Sequence, residues 1–184
     1  MFFKLDQRKA IEASATLLRL HPGRKMDRKR LLALLWIADR ESLQHHGRPV
    51  IGGRLAALKY GPIHSEIYDL IKGGGNNQAE WSRHFENDGN KVSLSCDDVQ
   101  ASALSRYEIQ LLNDISARFA SQDTWDVADS THTDEWKKNF HEGTSTPISL
   151  EDVIDSVGRN SDKAAILQDA EEKAFFDKLF AGGK

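Results

Sequence analysis

At 184 residues, with 39% hydrophobic and 29% charged residues, the chain is sized for one domain, or one domain with an appended tail, and carries enough apolar material for a core. A net charge of −3 argues against generic nucleic-acid binding. The longest apolar run, Leu31–Ala38, is too short for a bilayer, MFFKLDQRKA lacks a signal-peptide core, and the lone Cys96 can form no internal disulfide, so a reducing cytoplasm is expected.

In chain order, Asp6 predicts an N-cap for a helix to about Leu20, with Ile11, Ala15 and Leu18 on one face. After the loop HPGRK, a second helix is predicted from about Asp27 to Gln44. Its centre is apolar nearly all round and belongs in the middle of the core, and Gly47 ends it. RPVIGGRLAALKY reads as short extended segments leading to Tyr60-Gly61-Pro62. Proline suits the first turn of a helix, so a helix is expected over 62–72. There Ile63, Ile67, Leu70 and Ile71 form a stripe and Gly73 is the stop.

EWSRHFE and KVSLS flank Asn87-Asp88-Gly89-Asn90 and read as a hairpin, with Cys96 as a small buried or half-buried residue beside it. A helix is predicted at about 103–120 on the stripe Tyr107, Leu111, Ile115 and Phe119. One or two short helices follow in TWDVADSTHTDEW. Ser149 and Asp152 resemble a capping box opening a helix to about Val157, and Ser161 opens a last helix to about Phe180. The expected class is mostly α (α+β): a compact helical domain with a short β element around 55–60, 81–86 and 91–95. Residues 1–145 form the domain and 146–184 a helical extension, packed on it or available to a partner.

The residues offer no catalytic signature. His45 and His46 are adjacent, and His132 and His141 lie nine apart. There is no HExxH or paired CxxC, and no GxSxG frames a serine, so neither a metal site nor a cofactor is expected. IKGGGNN follows a helix instead of opening one, which is wrong for a phosphate cradle.

Charge is unevenly spread. Residues 1–60 hold 13 Lys/Arg against 5 Asp/Glu, whereas the remainder holds 12 against 23. The cluster Arg24, Lys25, Arg28, Lys29 and Arg30 sits at a helix N-terminus, where cations oppose the dipole. It suggests a phosphate or acidic-partner contact, or pairing with the chain's own acidic half. The element order also fits a winged helix, so a winged-helix-like DNA-binding regulator is the alternative reading. The third helix is poorly equipped for base readout, because it offers His64, Ser65, Lys72 and two acids.

Two blocks, residues 31–72 and 126–138, resemble the SocA-like Panacea domain of bacterial and phage antitoxins. The matching elements are Ala38-Asp39-Arg40, Gly47-Arg48-Pro49-Val50-Ile51-Gly52, Lys59-Tyr60-Gly61-Pro62-Ile63, Ile67-Tyr68, and Thr131-His132 with Trp136. The family often has a proline before that last tryptophan, where this chain has Glu135. The resemblance implies a non-enzymatic protein that neutralises a cognate toxin by binding it, in at least one member while handing it to an AAA+ protease. On that reading Asp39, Arg40, Gly47, Gly61, Pro62, Thr131, His132 and Trp136 maintain the fold. Arg48, Arg54, Lys59, Tyr60 and His64 are candidate partner contacts on a rigid corner. Phe175, Phe176 and Phe180, with Leu179, form an apolar cluster suited to the core, to self-association into a homo-oligomer, or to a partner's groove. A further alternative is a phage accessory protein that engages a host factor.

Overall fold

The computed structural model describes residues 1–96 and 98–181. It is mostly helical, with two small antiparallel sheets. Helix α1 (Gln7–Leu20) starts where the sequence predicts, because the Asp6 side chain accepts from the Lys9 N–H at 3.0 Å. A 3-10 turn, Pro22–Arg24, leads into strand β1 (Lys25–Asp27) and the central helix α2 (Arg28–His46). Asp27 caps α2, and Gly47 ends it in the left-handed conformation, φ +73°. Leu31 to Ala38 are all buried, as an all-round apolar helix requires.

The next segment departs from the expected corner. Leu55–Leu58 (β2) and Gly61–His64 (β3) form a hairpin across a Lys59-Tyr60 turn, with Leu58 opposite Gly61 and Ala57 opposite Pro62. Helix α3 therefore begins at Ser65 and runs to Lys72, not from Pro62. A proline within a strand is tolerated here because β3 lies at the edge of its sheet.

The second hairpin is also shifted. Gln78–His84 is a short helix, α4, that buries Trp81, and the strands are Phe85–Asp88 (β4) and Lys91–Leu94 (β5). β5 pairs on its other side with β1, giving the order β1-β5-β4. Cys96, expected to be buried or half-buried, is exposed just beyond β5.

Helix α5 (Arg106–Phe119) opens on a full capping box between Ser105 and Glu108. TWDVADSTHTDEW becomes two helices, α6 (Thr124–Asp129) and α7 (Asp134–Asn139). Thr146–Ile148 forms β6, a strand absent from the sequence-based reading. It completes the sheet order β3-β2-β6, with Leu55 opposite Ile148. Helices α8 (Leu150–Ser156) and α9 (Lys163–Ala181) finish the chain.

The main core gathers α1, α2, α3 and α5 around residues such as Leu17, Leu31, Ile67 and Leu112. A second core joins Trp36, Leu43 and Ala57 to Trp136, Ile148, Ile154 and Ile166. The segment from 146 to about 170 thus shares a core and a sheet with what precedes it.

Candidate partner-binding surface

The loop that leaves α2 is held from beneath by Asp39. Its carboxylate, buried in α2, accepts from the Ile51 N–H at 2.8 Å and the Gly52 N–H at 2.9 Å. The same group meets His64 Nε2 at 3.0 Å. A charged acceptor satisfied by backbone donors fixes a loop strongly, because each donor would otherwise be orphaned. Gly52, at φ +69°, lies against the backbone of the N-terminal segment, where a Cβ would approach Lys4 O to 2.9 Å. His64, expected as a surface contact, is completely buried, so its role is to pin β3 to α2.

The opposite end of the hairpin is fixed as tightly. Trp136 donates its indole N–H to Leu58 O at 2.9 Å, and its ring is stacked between His132 at 3.9 Å and Phe140 at 4.6 Å. Thr131 is buried and donates to Ala128 O at 2.5 Å. Its Oγ1 closes against Gly61, where only a glycine leaves room. The Arg40 guanidinium donates to Glu135 at 2.7 Å and to Ser156 at 3.1 Å, while Ser156 also donates to Glu135. Glu135, which stands where the family often has proline, therefore ties α2, α7 and α8 together. The motif residues form one scaffold that holds the Lys59-Tyr60 turn in place.

The arginines of the corner are engaged within the chain. Arg48 makes a bidentate pair with Asp169 of α9, both contacts at 2.5 Å, which raises its already high pKa. Arg54 pairs with Glu66 at 3.0 Å. These contacts place one basic and one acidic partner from opposite halves of the chain together, as the uneven charge distribution allows.

Lys59 and Tyr60 stay at the surface. Tyr60 is 45% exposed and meets the 52% exposed Trp125 edge to face at 5.3 Å. Lys29 lies over both rings, 5.1 Å from Tyr60 and 4.9 Å from Trp125, and Lys59 also approaches Tyr60. Beside this cluster opens a cleft of about 470 Å³, bounded by Arg28, Lys29, Leu58, Lys59, Tyr60 and Tyr68. Trp125 was not singled out from the sequence. Its signal was an apolar residue beside the Asp123 N-cap, on the exposed side of α6.

The basic cluster is divided by the fold. Arg30 is buried and donates to Phe119 O and Gln122 O, both at 2.7 Å, satisfying the carboxyl end of α5. Burial pushes its pKa down against the opposing pull of Asp123. Lys25 pairs with Asp88 at 3.3 Å on the neighbouring hairpin. Arg28 and Lys29 turn to the cleft, whereas Arg24 lies in the preceding 3-10 turn. The five cations therefore do not make one phosphate-reading face.

The aromatic tail lies apart from the core. Phe175, Phe176, Leu179 and Phe180 are between 54% and 81% exposed on the last turns of α9. No helix among the described residues is long and apolar enough to cross a membrane.

Comparison with curated proteins and with solved structures finds no match. The family model "Antitoxin SocA-like, Panacea domain" matches residues 31–137, which take in most of α2 with the Asp39 anchor, the β2–β3 hairpin and the Thr131–Trp136 brace. The chain belongs to the SocA-like antitoxin family and carries its Panacea domain.

Proposed function

We propose that the chain is an antitoxin that neutralises a cognate toxin by forming a direct protein–protein complex, with no chemistry of its own. The cleft beside Tyr60 and Trp125 is the proposed contact surface. The observation that carries this reading is the Lys29–Tyr60–Trp125 cluster, an exposed aromatic pair whose Tyr60 sits on the turn that Trp136 and Thr131 hold in place. Tyrosine and tryptophan are enriched among the residues that anchor protein interfaces. Pre-ordering the turn reduces the entropy lost on binding. The flanking Arg28 and Lys59 favour a toxin segment that presents acidic groups around an apolar side chain. Arg48 and Arg54 contribute through the scaffold, because their guanidinium groups already hold Asp169 and Glu66.

The test is induction of the neighbouring gene, alone and with this chain, scoring growth and co-purification. Growth arrest relieved by the chain, with both proteins eluting as one complex, supports the assignment. Tyr60→Ala and Trp125→Ala should each weaken the complex by roughly 2 kcal/mol, about thirtyfold. A toxin bound equally well by both variants moves the interface elsewhere, with the Phe175–Phe180 end of α9 next in line. Delivery to an AAA+ protease is a separable question. It requires the toxin's half-life in cells to shorten when the chain is present, whereas blocking alone leaves it unchanged.

A further inference from the structure

We propose that His84, Cys96 and Asp98 form a divalent metal site, suited to Zn(II), that ties the end of α4 to the segment beyond β5. Cys96 and Asp98 are two residues apart, and the β4–β5 hairpin brings them back to His84, twelve residues before Cys96. His84 is the last residue of α4, and Cys96 and Asp98 follow β5. Their ligand atoms all lie within 4.8 Å of one another. Cys96 Sγ is 3.0 Å from Asp98 Oδ1, and His84 Nδ1 is 3.4 Å from the same oxygen.

A second observation points to a cation. His84 Nδ1 is shielded from solvent and faces Asp98 Oδ1 at 3.4 Å without regular hydrogen-bond geometry. The other ring nitrogen, Nε2, faces Glu80 Oε1 at 3.4 Å on the preceding helical turn. When Nε2 carries the ring proton toward Glu80, the Nδ1 lone pair points at the Asp98 carboxylate. Two acceptors then face each other without a positive charge between them. A carboxylate holding the far nitrogen of a metal-bound imidazole is a recurring outer-shell arrangement, because it fixes the tautomer and the ring. Imidazole nitrogen, thiolate sulfur and carboxylate oxygen together are a donor set that tetrahedral zinc accepts, with the fourth position left to water. On binding, the Cys96 thiol gives its proton to solvent and the sulfur becomes a thiolate ligand. This is independent of the proposed toxin contact, which lies on other residues.

The test is titration of the purified, reduced full-length chain with Co(II). A thiolate-to-cobalt charge-transfer band and intense visible bands of tetrahedral cobalt, saturating stoichiometrically and bleached by Zn(II), are expected. Cys96→Ser should remove the charge-transfer band, and Glu80→Gln should weaken binding roughly tenfold. Cys96 and Asp98 are exposed, so Cys96→Ser and Asp98→Asn leave the core untouched. Zn(II) should raise the melting temperature of the wild-type chain and not of these variants. Absence of the charge-transfer band in the wild type overturns the site, as does the same spectrum and affinity in Cys96→Ser.

Discussion

At Gly61 an added Cβ would stand 2.4 Å from Thr131 Oγ1, and the backbone there, at φ +127°, already lies where side chains are strained. Both penalties act at once, so Gly61→Ala should destabilise the chain by about 3 kcal/mol, read from urea unfolding midpoints. Thr131→Ala alone should cost about 1 kcal/mol, through the lost hydrogen bond to Ala128 O. The double variant should be more stable than the sum of the two, because removing Oγ1 relieves the clash and leaves only the backbone strain. Strict additivity would mean that the contact between Gly61 and Thr131 is not what demands glycine. The Gly61-Pro62 corner and the distant Thr131-His132 pair are thus two sides of a single close approach.

Among elements, the entry to α5 depends on a carboxylate from another helix. Glu12 of α1 is buried and accepts from the backbone N–H groups of Ser102, Ala103 and Leu104, each at 3.0 Å. Burial pushes its pKa up, but the three backbone donors and the Ser102 hydroxyl outweigh that and hold the carboxyl below its ordinary value. A folded-state pKa below the unfolded one means that ionised Glu12 contributes stability above about pH 4.3, lost as pH falls through the folded value. Glu12→Gln should therefore be less stable than wild type at neutral pH, and the gap should narrow on acidification. Chemical unfolding at a series of pH values checks this; a gap constant down to acid pH would assign the loss to packing. Arg30 performs the complementary service at the other end of α5, donating to two carbonyl oxygens that the helix cannot satisfy itself. One helix thus has its amino end held by an acid from α1 and its carboxyl end by a base from α2.

For the molecule as a whole, the division near residue 145 has a measurable meaning. Ending the chain there would remove β6 from its place beside β2 and strip Ile148, Ile154 and Ile166 from the second core. Such a truncation should lose its cooperative thermal transition, because Trp36, Leu43 and Trp136 would face water. Replacing Phe175, Phe176 and Phe180 together by Ser should instead change the melting temperature little, since all three are more than half exposed. Circular-dichroism melts of the two variants distinguish a structural segment from its interactive end. A large drop in the Phe variant would show that the tail covers core in solution.

The amino-acid sequence by itself determined the helices whose caps and periodicity are local. Asp6, Asp27, Ser105 and Ser149 each cap a helix, because a side chain within three residues of its donor needs no distant partner. It also carried the Panacea motif, whose order along the chain is itself the signal. Tertiary structure alone decided the strand at Pro62, which edge position permits, and the strand at Thr146–Ile148, which exists only because β2 offers it a free side. It decided as well which charges stay available. Arg30, Arg48 and Arg54 look like surface cations in one dimension, yet each is matched by an acceptor from 12 to 121 residues away. The same long-range closure joins His84 to Cys96 and Asp98, and Lys29 to Tyr60 and Trp125, pairs that no local spacing announces because hairpins and helix crossings create their proximity.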